Sequence, residues 1–438
     1  MAFSLEVYAA RRRRLMDAIG PDAAAIVAAA PVAVRSHDVE YPYRQDNDLL
    51  YLTGFPEPQA VCVLTPGHPE EFVLFVRPRD LERETWTGRR AGVEGAMTAY
   101  GARAAYSIDQ LDEKIGAYVA DRERLFYTLG RDAGFNQRVL GWVQQWRHLR
   151  PRSGKGPTAI LDAAELIHEM RLLKAPEEVA SLRQAVAIAA EAHCAAMRRV
   201  RPGMHEYEVE ALLDYTFRRR GSSGPAYPSI VAAGANATIL HYTTNDQCMR
   251  DDELVLIDAG AEYADYCADI TRTFPVGPRF GAAQRAVYDV VLAAQRAAIE
   301  AVRPSVPFDV PHQRALAALV DGLLELGLLT GGRDEILTKE LFRPFYMHRT
   351  SHWLGMDVHD VGKYRVNDQP RVLEAGMVLT IEPGLYVGAA RDDVPACYRG
   401  IGVRIEDDVL VTADGHEVLS AAVPKEPADI EALRAAAG

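Results

Sequence analysis

The chain has 438 residues, 48% of them hydrophobic and 25% charged, the proportions of a soluble globular protein long enough for two domains. Its formal net charge of -12 gives nucleic-acid binding no electrostatic support, and no run approaches the ~20 apolar residues of a membrane span. Five scattered cysteines (Cys62, Cys194, Cys248, Cys267, Cys397) form no C-x-x-C pair and the N-terminus does not read as a secretion signal, so reduced, mostly buried thiols and a cytoplasmic location are expected.

The first predicted element is the helix "EVYAARRRRLMDAIG", with Arg11 to Arg14 on its solvated face. "AVCVLTPGHPEEFVLFVRP" is two apolar runs around a Pro/Gly-rich turn, the pattern of a hairpin. "PRSGKGPT", Pro151 to Thr158, is punctuated by Gly, Pro and Ser and is the best linker candidate. The expected domains are residues 1–172 and 173–438.

The second region opens with a strong helix. Pro176 occupies its first turn, with Glu177 and Glu178 beside the positive end and Arg198 and Arg199 in the last turn. Val-Arg-Pro at 200–202 stops it, and a second helix, "HEYEVEALLDYTFRRR", follows. Then come the strand-like runs "LVLIDAG" and "ADITRTF". The order repeats: a helix from Ala282, a Val-Arg-Pro stop at 302–304, a helix, then "GMVLTIEPG" and "GIGVRIEDDVLV". This predicts an α/β (α+β) fold whose second domain contains two similar halves.

Both halves place acids on apolar strands: Asp258 and Asp269 in the first, Glu382 and Glu406 in the second. If Tyr263 and Ala264 centre a two-residue turn, Asp258 faces Asp269 directly, with Cβ atoms ~4.5–5.5 Å apart. Such neighbours repel, and burying them unpaired costs several kcal/mol. Two divalent cations resolve the conflict, offset the four charges and tolerate a bound hydroxide. "MHRTSHWLGMDVHDVG" supplies His348, His352 and His359. The i, i+4 pair lacks the glutamate of H-E-x-x-H, and Gly355 and Gly362 disfavour a long helix, so one imidazole joining the acids is expected.

Asp258, Asp269, His352, Glu382 and Glu406, in that order, resemble the five metal ligands of the pita-bread metallopeptidases. "LHYTTND", "LVLIDAG", "DITRTFPV", "HRTSHWLGMDVHDVG", "VLTIEPGLY" and "YRGIGVRIEDD" are similar to the Xaa-Pro aminopeptidase (aminopeptidase P) family, as are "YRQDNDLLYLTGFPEPQAV" and "WTGRRAGVEGA" near the N-terminus. The match spans nearly the whole chain. Arg349 is a departure inside the histidine motif that touches no ligand position.

The resemblance implies a creatinase-like N-terminal domain, a C-terminal pita-bread domain and a homo-oligomer, dimer or tetramer. It implies two Mn²⁺ ions, with Co²⁺ or Zn²⁺ able to replace them, and a hard, oxygen-rich donor set fits that class. The implied reaction removes the first residue from peptides with proline second, using a hydroxide held by two metals ~3.5–4 Å apart. Asp258 and Asp269 would share one metal; Asp269, His352, Glu382 and Glu406 would hold the other, with Asp269 and Glu406 bridging. Glu382 would manage the nucleophile's proton and His359 the oxyanion. His241 and His348 would flank the scissile bond and proline, and Arg404 would anchor the peptide beyond it. Tyr386 and Tyr227 would support the metal ligands, and Trp86 would approach a neighbouring subunit's site. The remaining histidines, His193 and His312 among them, read as structural or exposed. Prolidase, with the same ligands on the same fold, and a non-catalytic pita-bread binding protein are the alternatives; neither nucleic acid nor membrane is an expected partner.

Overall fold

The structure, a computed structural model, describes residues 3–436, which form two compact units dividing between Arg171 and Leu172. The first unit is built on a six-stranded mixed sheet. Its spatial order is Ala104–Ser107, Phe72–Val76, Val61–Leu64, Ala23–Ala28, Arg124–Phe126 and Ala159–Leu161. The runs predicted as a hairpin pair antiparallel, Val61 opposite Phe75 and Leu64 opposite Phe72. On one face Val63, Val73 and Phe75 pack in a core with Val139, Trp142 and Trp146 of the helix Ala133–Ser153.

Two expectations are corrected in this unit. Arg11 and Arg12 are buried rather than solvated. Arg11 Nη1 donates to the Tyr51 carbonyl at 3.1 Å and Arg12 Nη1 to that of Leu52 at 2.8 Å. Those carbonyls belong to the last turn of Asn47–Thr53, where a helix leaves acceptors unpaired and favours positive charge. The guanidinium carbons lie 4.0 Å from the Tyr51 ring centroid and 3.9 Å from that of Phe72. Pro151 to Thr158 is no linker either. The helix continues to Ser153, Arg147 ties down the Pro157 and Thr158 carbonyls, and the strand Ala159–Leu161 rejoins the sheet.

The second unit repeats one arrangement. Helices Pro176–Arg199 and Glu206–Arg219 precede an antiparallel sheet of Ile230–Ala233, Leu254–Asp258 and Thr271–Pro275. Helices Ala282–Glu300 and Asp309–Glu325 precede another, of Val378–Ile381, Asp407–Val411 and His416–Val418. Val200 and Val302, which begin the two Val-Arg-Pro turns, are fully buried. A single core runs through both halves and includes Leu213, Val255 and Phe274 with Leu319, Leu379 and Val409.

The first hairpin turns two residues later in register than expected. Tyr263 pairs with Tyr266, so Ala264 and Asp265 form the turn, with φ of 50° and 67°. Two left-handed residues match the twist of a tight hairpin, and Asp tolerates that conformation well. Asp258 therefore lies opposite Thr271, not Asp269. The shift is even, so Asp269 keeps its expected face. Of the five cysteines only Cys62 and Cys267 are buried; Cys248 and Cys397 are exposed, which corrects the expectation of mostly buried thiols.

All four acids stand where a strand stops. Asp258 ends its strand before the chain resumes at Ala261, and Asp269 lies between Tyr266–Cys267 and Thr271–Pro275. Glu382 separates Val378–Ile381 from Gly384–Tyr386, and Glu406 separates Gly402–Arg404 from Asp407–Val411. Interrupting the ladder re-aims side chains, as at a β-bulge. A Cβ on Gly260 would sit 1.6 Å from the Ala268 carbonyl oxygen, so glycine alone permits the two broken strands to close beside Asp258 and Asp269.

Candidate active site

The four breaks face one cavity of about 990 Å³, lined by Asp258, Asp269, His352, Glu382 and Glu406 among others. One donor atom from each of Asp269, His352 and Glu406 lies within 4.8 Å of the others. His352 reaches the cluster from an irregular segment laid along the strand Val378–Ile381: Thr380 N donates to the His352 carbonyl at 2.9 Å, and Glu382 N to that of Thr350 at 2.8 Å. His352 Nδ1 lies 3.0 Å from the Trp353 carbonyl. A carbonyl only accepts, so Nδ1 carries the hydrogen and Nε2 faces the acids, 3.3 Å from Asp269 Oδ2 and 3.4 Å from Glu382 Oε1.

Three groups hold the carboxylates in place. The Tyr227 hydroxyl lies 2.6 Å from Asp258 Oδ1 and 2.5 Å from Asp269 Oδ1. Thr271 Oγ1 donates to Glu406 Oε2 at 2.7 Å. Arg404, only 4% exposed, donates from Nη2 to Asp258 Oδ2 at 2.7 Å, from Nη1 to the Tyr386 hydroxyl at 3.1 Å and from Nε to Thr271 Oγ1 at 3.2 Å. Arg404 is thus spent inside the cluster, where it orients Asp258 and Tyr386, rather than held out for the peptide beyond proline.

The electrostatics show a cluster that needs positive charge. Burial pushes the Glu382 carboxyl up to about 7, more than the imidazolium of His352 pulls it down. Burial, with Asp269, Glu382 and Asp258 alongside, holds Glu406 well above the ordinary range. Burial also raises Asp258, against the pull of Arg404. Burial pushes Asp269 up too, but the hydrogen bond and charge of His352 outweigh it and lower this carboxyl. Burial disfavours charge on His352, yet Asp269 and Glu382 prevail and raise it to about 9. Without cations, the environment favours the protonated forms of Glu382, Glu406 and His352.

His348 Nδ1 is 2.7 Å from the Arg349 carbonyl and so donates, leaving Nε2 to accept from the Tyr386 hydroxyl at 2.8 Å. Burial, then Arg404, push His348 down to about 4. His241 and His359 are exposed on the cavity wall, and the His359 ring lies 4.4 Å from that of His352 in a T-shaped contact. Burial and His352 lower its imidazole. The structure therefore brings every expected site residue of the second unit to one place. Trp86 belongs to the first unit, in the helix Leu81–Thr87, where it is 84% exposed.

The sequence reading missed the layer behind the acids. Arg272 is fully buried; its Nη1 grips the Glu406 carbonyl at 2.5 Å and its Nη2 pairs with Asp407 at 2.7 Å. Gln295 and Lys425 also reach Asp407, each at 2.6 Å. Burial would raise Asp407, but Arg272 and Lys425 overcome it and hold the carboxylate ionised. Asp408 accepts from the Asp269 amide at 3.1 Å, and burial, with Asp269 beside it, raises its carboxyl well above the usual range. The signal was present: "EDD" in an apolar strand demands counter-charge by the same logic that located the acids.

Residues 180–413 match the model of metallopeptidase family M24, and residues 8–127 that of the aminopeptidase P N-terminal domain. The sequence is 44% identical to an Xaa-Pro aminopeptidase of Escherichia coli K12, an alignment covering 99% of this chain and 98% of that one. The fold matches aminopeptidase PepP of Pseudomonas aeruginosa with a TM-score of 0.97 at 47% identity, over 99% of both chains. It matches a zinc-substituted E. coli aminopeptidase P in complex with product with a TM-score of 0.96 at 44% identity, over 100% of this chain and 99% of that one.

Proposed function

The chain belongs to metallopeptidase family M24, with an aminopeptidase P N-terminal domain and a pita-bread catalytic domain, and from that premise we propose how its residues divide the work of a metal-dependent Xaa-Pro aminopeptidase. The observation that carries the reading is the convergence of four carboxylates and an outward-turned His352 Nε2 on one cavity. The donor set fits divalent cations: hard oxygen ligands, an imidazole in the ligating tautomer, and acids whose mutual repulsion calls for cations. Asp258, Asp269, His352, Glu382 and Glu406 would hold two ions, with Asp269 and Glu406 shared. Mn²⁺ is the expected metal; the zinc-substituted relative favours Zn²⁺ as an alternative occupant. Such ions supply Lewis acidity and a nucleophilic water at neutral pH.

The chain's own groups do the rest. Glu382, on the cavity wall beside His352, takes a proton from the attacking water and returns it to the departing proline nitrogen. That nitrogen belongs to a tertiary amide without N–H, so the site cannot grip it as a donor and must hold its carbonyl side instead. His359, exposed beside His352, is placed to stabilise the developing oxyanion, and His241 shares that wall. Tyr386 links Arg404 to His348 and keeps the His348 Nδ1–H on the Arg349 carbonyl. Tyr227 fixes the spacing of Asp258 and Asp269. The negative end of the cavity receives the substrate's free amine, which makes the enzyme an exopeptidase.

Metal-loaded protein should cleave Xaa-Pro-Yaa tripeptides, releasing Xaa, and should cleave Xaa-Pro dipeptides far more slowly when both are assayed side by side. Turnover of the dipeptide alone would show a prolidase instead. We also propose a cytoplasmic homo-oligomer. Leu81 and Trp86 are 77% and 84% exposed on a helix that buries none of its residues, as an interface element would be before assembly. Sedimentation velocity should show a species larger than one chain; a monomer at all concentrations would dismiss the assembly.

A further inference from the structure

The cavity wall carries a cation that the acid cluster does not use. Arg349 follows His348 directly, lines the same cavity and is exposed. Among the described residues no hydrogen bond or ion pair engages its guanidinium, whereas the other two arginines of the wall are committed. Arg404 binds Asp258, and Arg365 donates to the Asp368 carbonyl of its own hairpin. The backbone of Arg349 is held on both sides. Its carbonyl receives His348 Nδ1–H, and the following Thr350 is fully buried with its hydroxyl 2.7 Å from Tyr346 and 2.8 Å from His312. The neighbouring His312 stays neutral, because burial and then Arg349 push it down to about 4. The positive charge on this part of the wall therefore belongs to Arg349, while the metal-binding end is acidic.

A short peptide has the matching polarity. Its ammonium group goes to the acids, and its carboxylate lies at the opposite end. An extended tripeptide spans ~10 Å, and a cavity of about 990 Å³ has a linear dimension of the same order. We propose that Arg349 forms a carboxylate subsite that selects peptides bearing a carboxylate on the residue after proline. The ligand chemistry is a carboxylate from either the free C-terminus of a tripeptide or an acidic side chain at that position. This inference rests on the Xaa-Pro aminopeptidase reading of the same cavity.

The test compares kcat/KM for Ala-Pro-Ala with Ala-Pro-Ala-amide, and for Ala-Pro-Glu-amide with Ala-Pro-Gln-amide, in wild type and in Arg349→Gln and Arg349→Lys. Wild type should favour the carboxylate-bearing member of at least one pair by about tenfold, expressed in KM, because a charge-assisted hydrogen bond is lost with its partner. In Arg349→Gln that ratio should fall to near one; in Arg349→Lys it should be partly restored. The pair that shows the effect identifies the source of the carboxylate. Absence of any preference in wild type, or the same preference in Arg349→Gln, overturns the subsite while leaving the peptidase reading intact. Failure of metal-loaded wild type to cleave any of the four peptides strikes the peptidase reading instead.

Discussion

A Glu406→Gln variant should lose at least ~10³-fold in kcat/KM, about 4 kcal/mol of transition-state stabilisation, and yet melt at the temperature of the metal-free wild type. The two halves of this expectation come from one fact. Glu406 is only 2% exposed and is crowded by Asp269, Glu382 and Asp258, so burial and repulsion favour its neutral, protonated form in the metal-free chain. Glutamine matches that neutral form in shape, and its carbonyl oxygen can still accept from Thr271. The fold therefore loses nothing. A carboxamide, however, cannot shed a proton to bind a cation, and Glu406 is one of the two acids proposed to be shared between the ions. Calorimetry in chelator, metal analysis and peptide kinetics on the same preparation test all three points. Retained activity would remove Glu406 from the metal site. A large fall in melting temperature with metal absent would show that the acid stabilises the fold in its charged form.

The second large effect is on pH dependence. In the metal-free chain Glu382 is raised from 4.5 to about 7 and His352 from 6.5 to about 9. Each group binds its proton more tightly folded than unfolded, so the stability it contributes is present at low pH. It is lost as pH rises through about 7 for Glu382 and about 9 for His352. Cations replace those protons. The stabilisation produced by a fixed Mn²⁺ concentration should therefore grow from about pH 5 to about pH 9, and apparent metal affinity should rise roughly tenfold or more per pH unit over the lower half of that range. Taking the difference between loaded and chelated melting curves cancels titrations elsewhere, such as Asp48, which the His168 hydrogen bond and then Arg171 and Arg131 hold ionised against burial. A difference curve that stays flat with pH would mean that protons and cations do not compete at these residues.

The parts of the site that were legible in the sequence are those where one residue contradicts its surroundings. Asp258, Asp269, Glu382 and Glu406 stand out because apolar strands should not carry buried acids, and that conflict survives errors of register. The sequence suggests a hairpin turn at Tyr263 and Ala264 where the structure has Ala264 and Asp265, yet an even shift in pairing leaves both aspartates on the same face. What was illegible depends on which way a long side chain folds. The Arg11–Arg14 run has the composition of a solvated face, and nothing local announces that Arg11 and Arg12 meet the end of a helix some forty residues later. Likewise the apposition of Arg404 with Asp258 links residues 146 apart, and periodicity gives only its strand face. Pro151 opens a stretch that reads as a linker because Gly, Pro and Ser punctuate it. Here it sits in a last turn whose following loop is held by Arg147.

In the proposed function these acids coexist because cations sit among them and make the site active. The direct test is to strip the purified protein with a chelator, then titrate Mn²⁺ back while following both bound metal and cleavage of an Xaa-Pro-Yaa peptide. The predicted result is no cleavage in the stripped protein, full recovery on titration, and saturation at two ions per chain. Undiminished cleavage by protein shown to contain no divalent metal would contradict it.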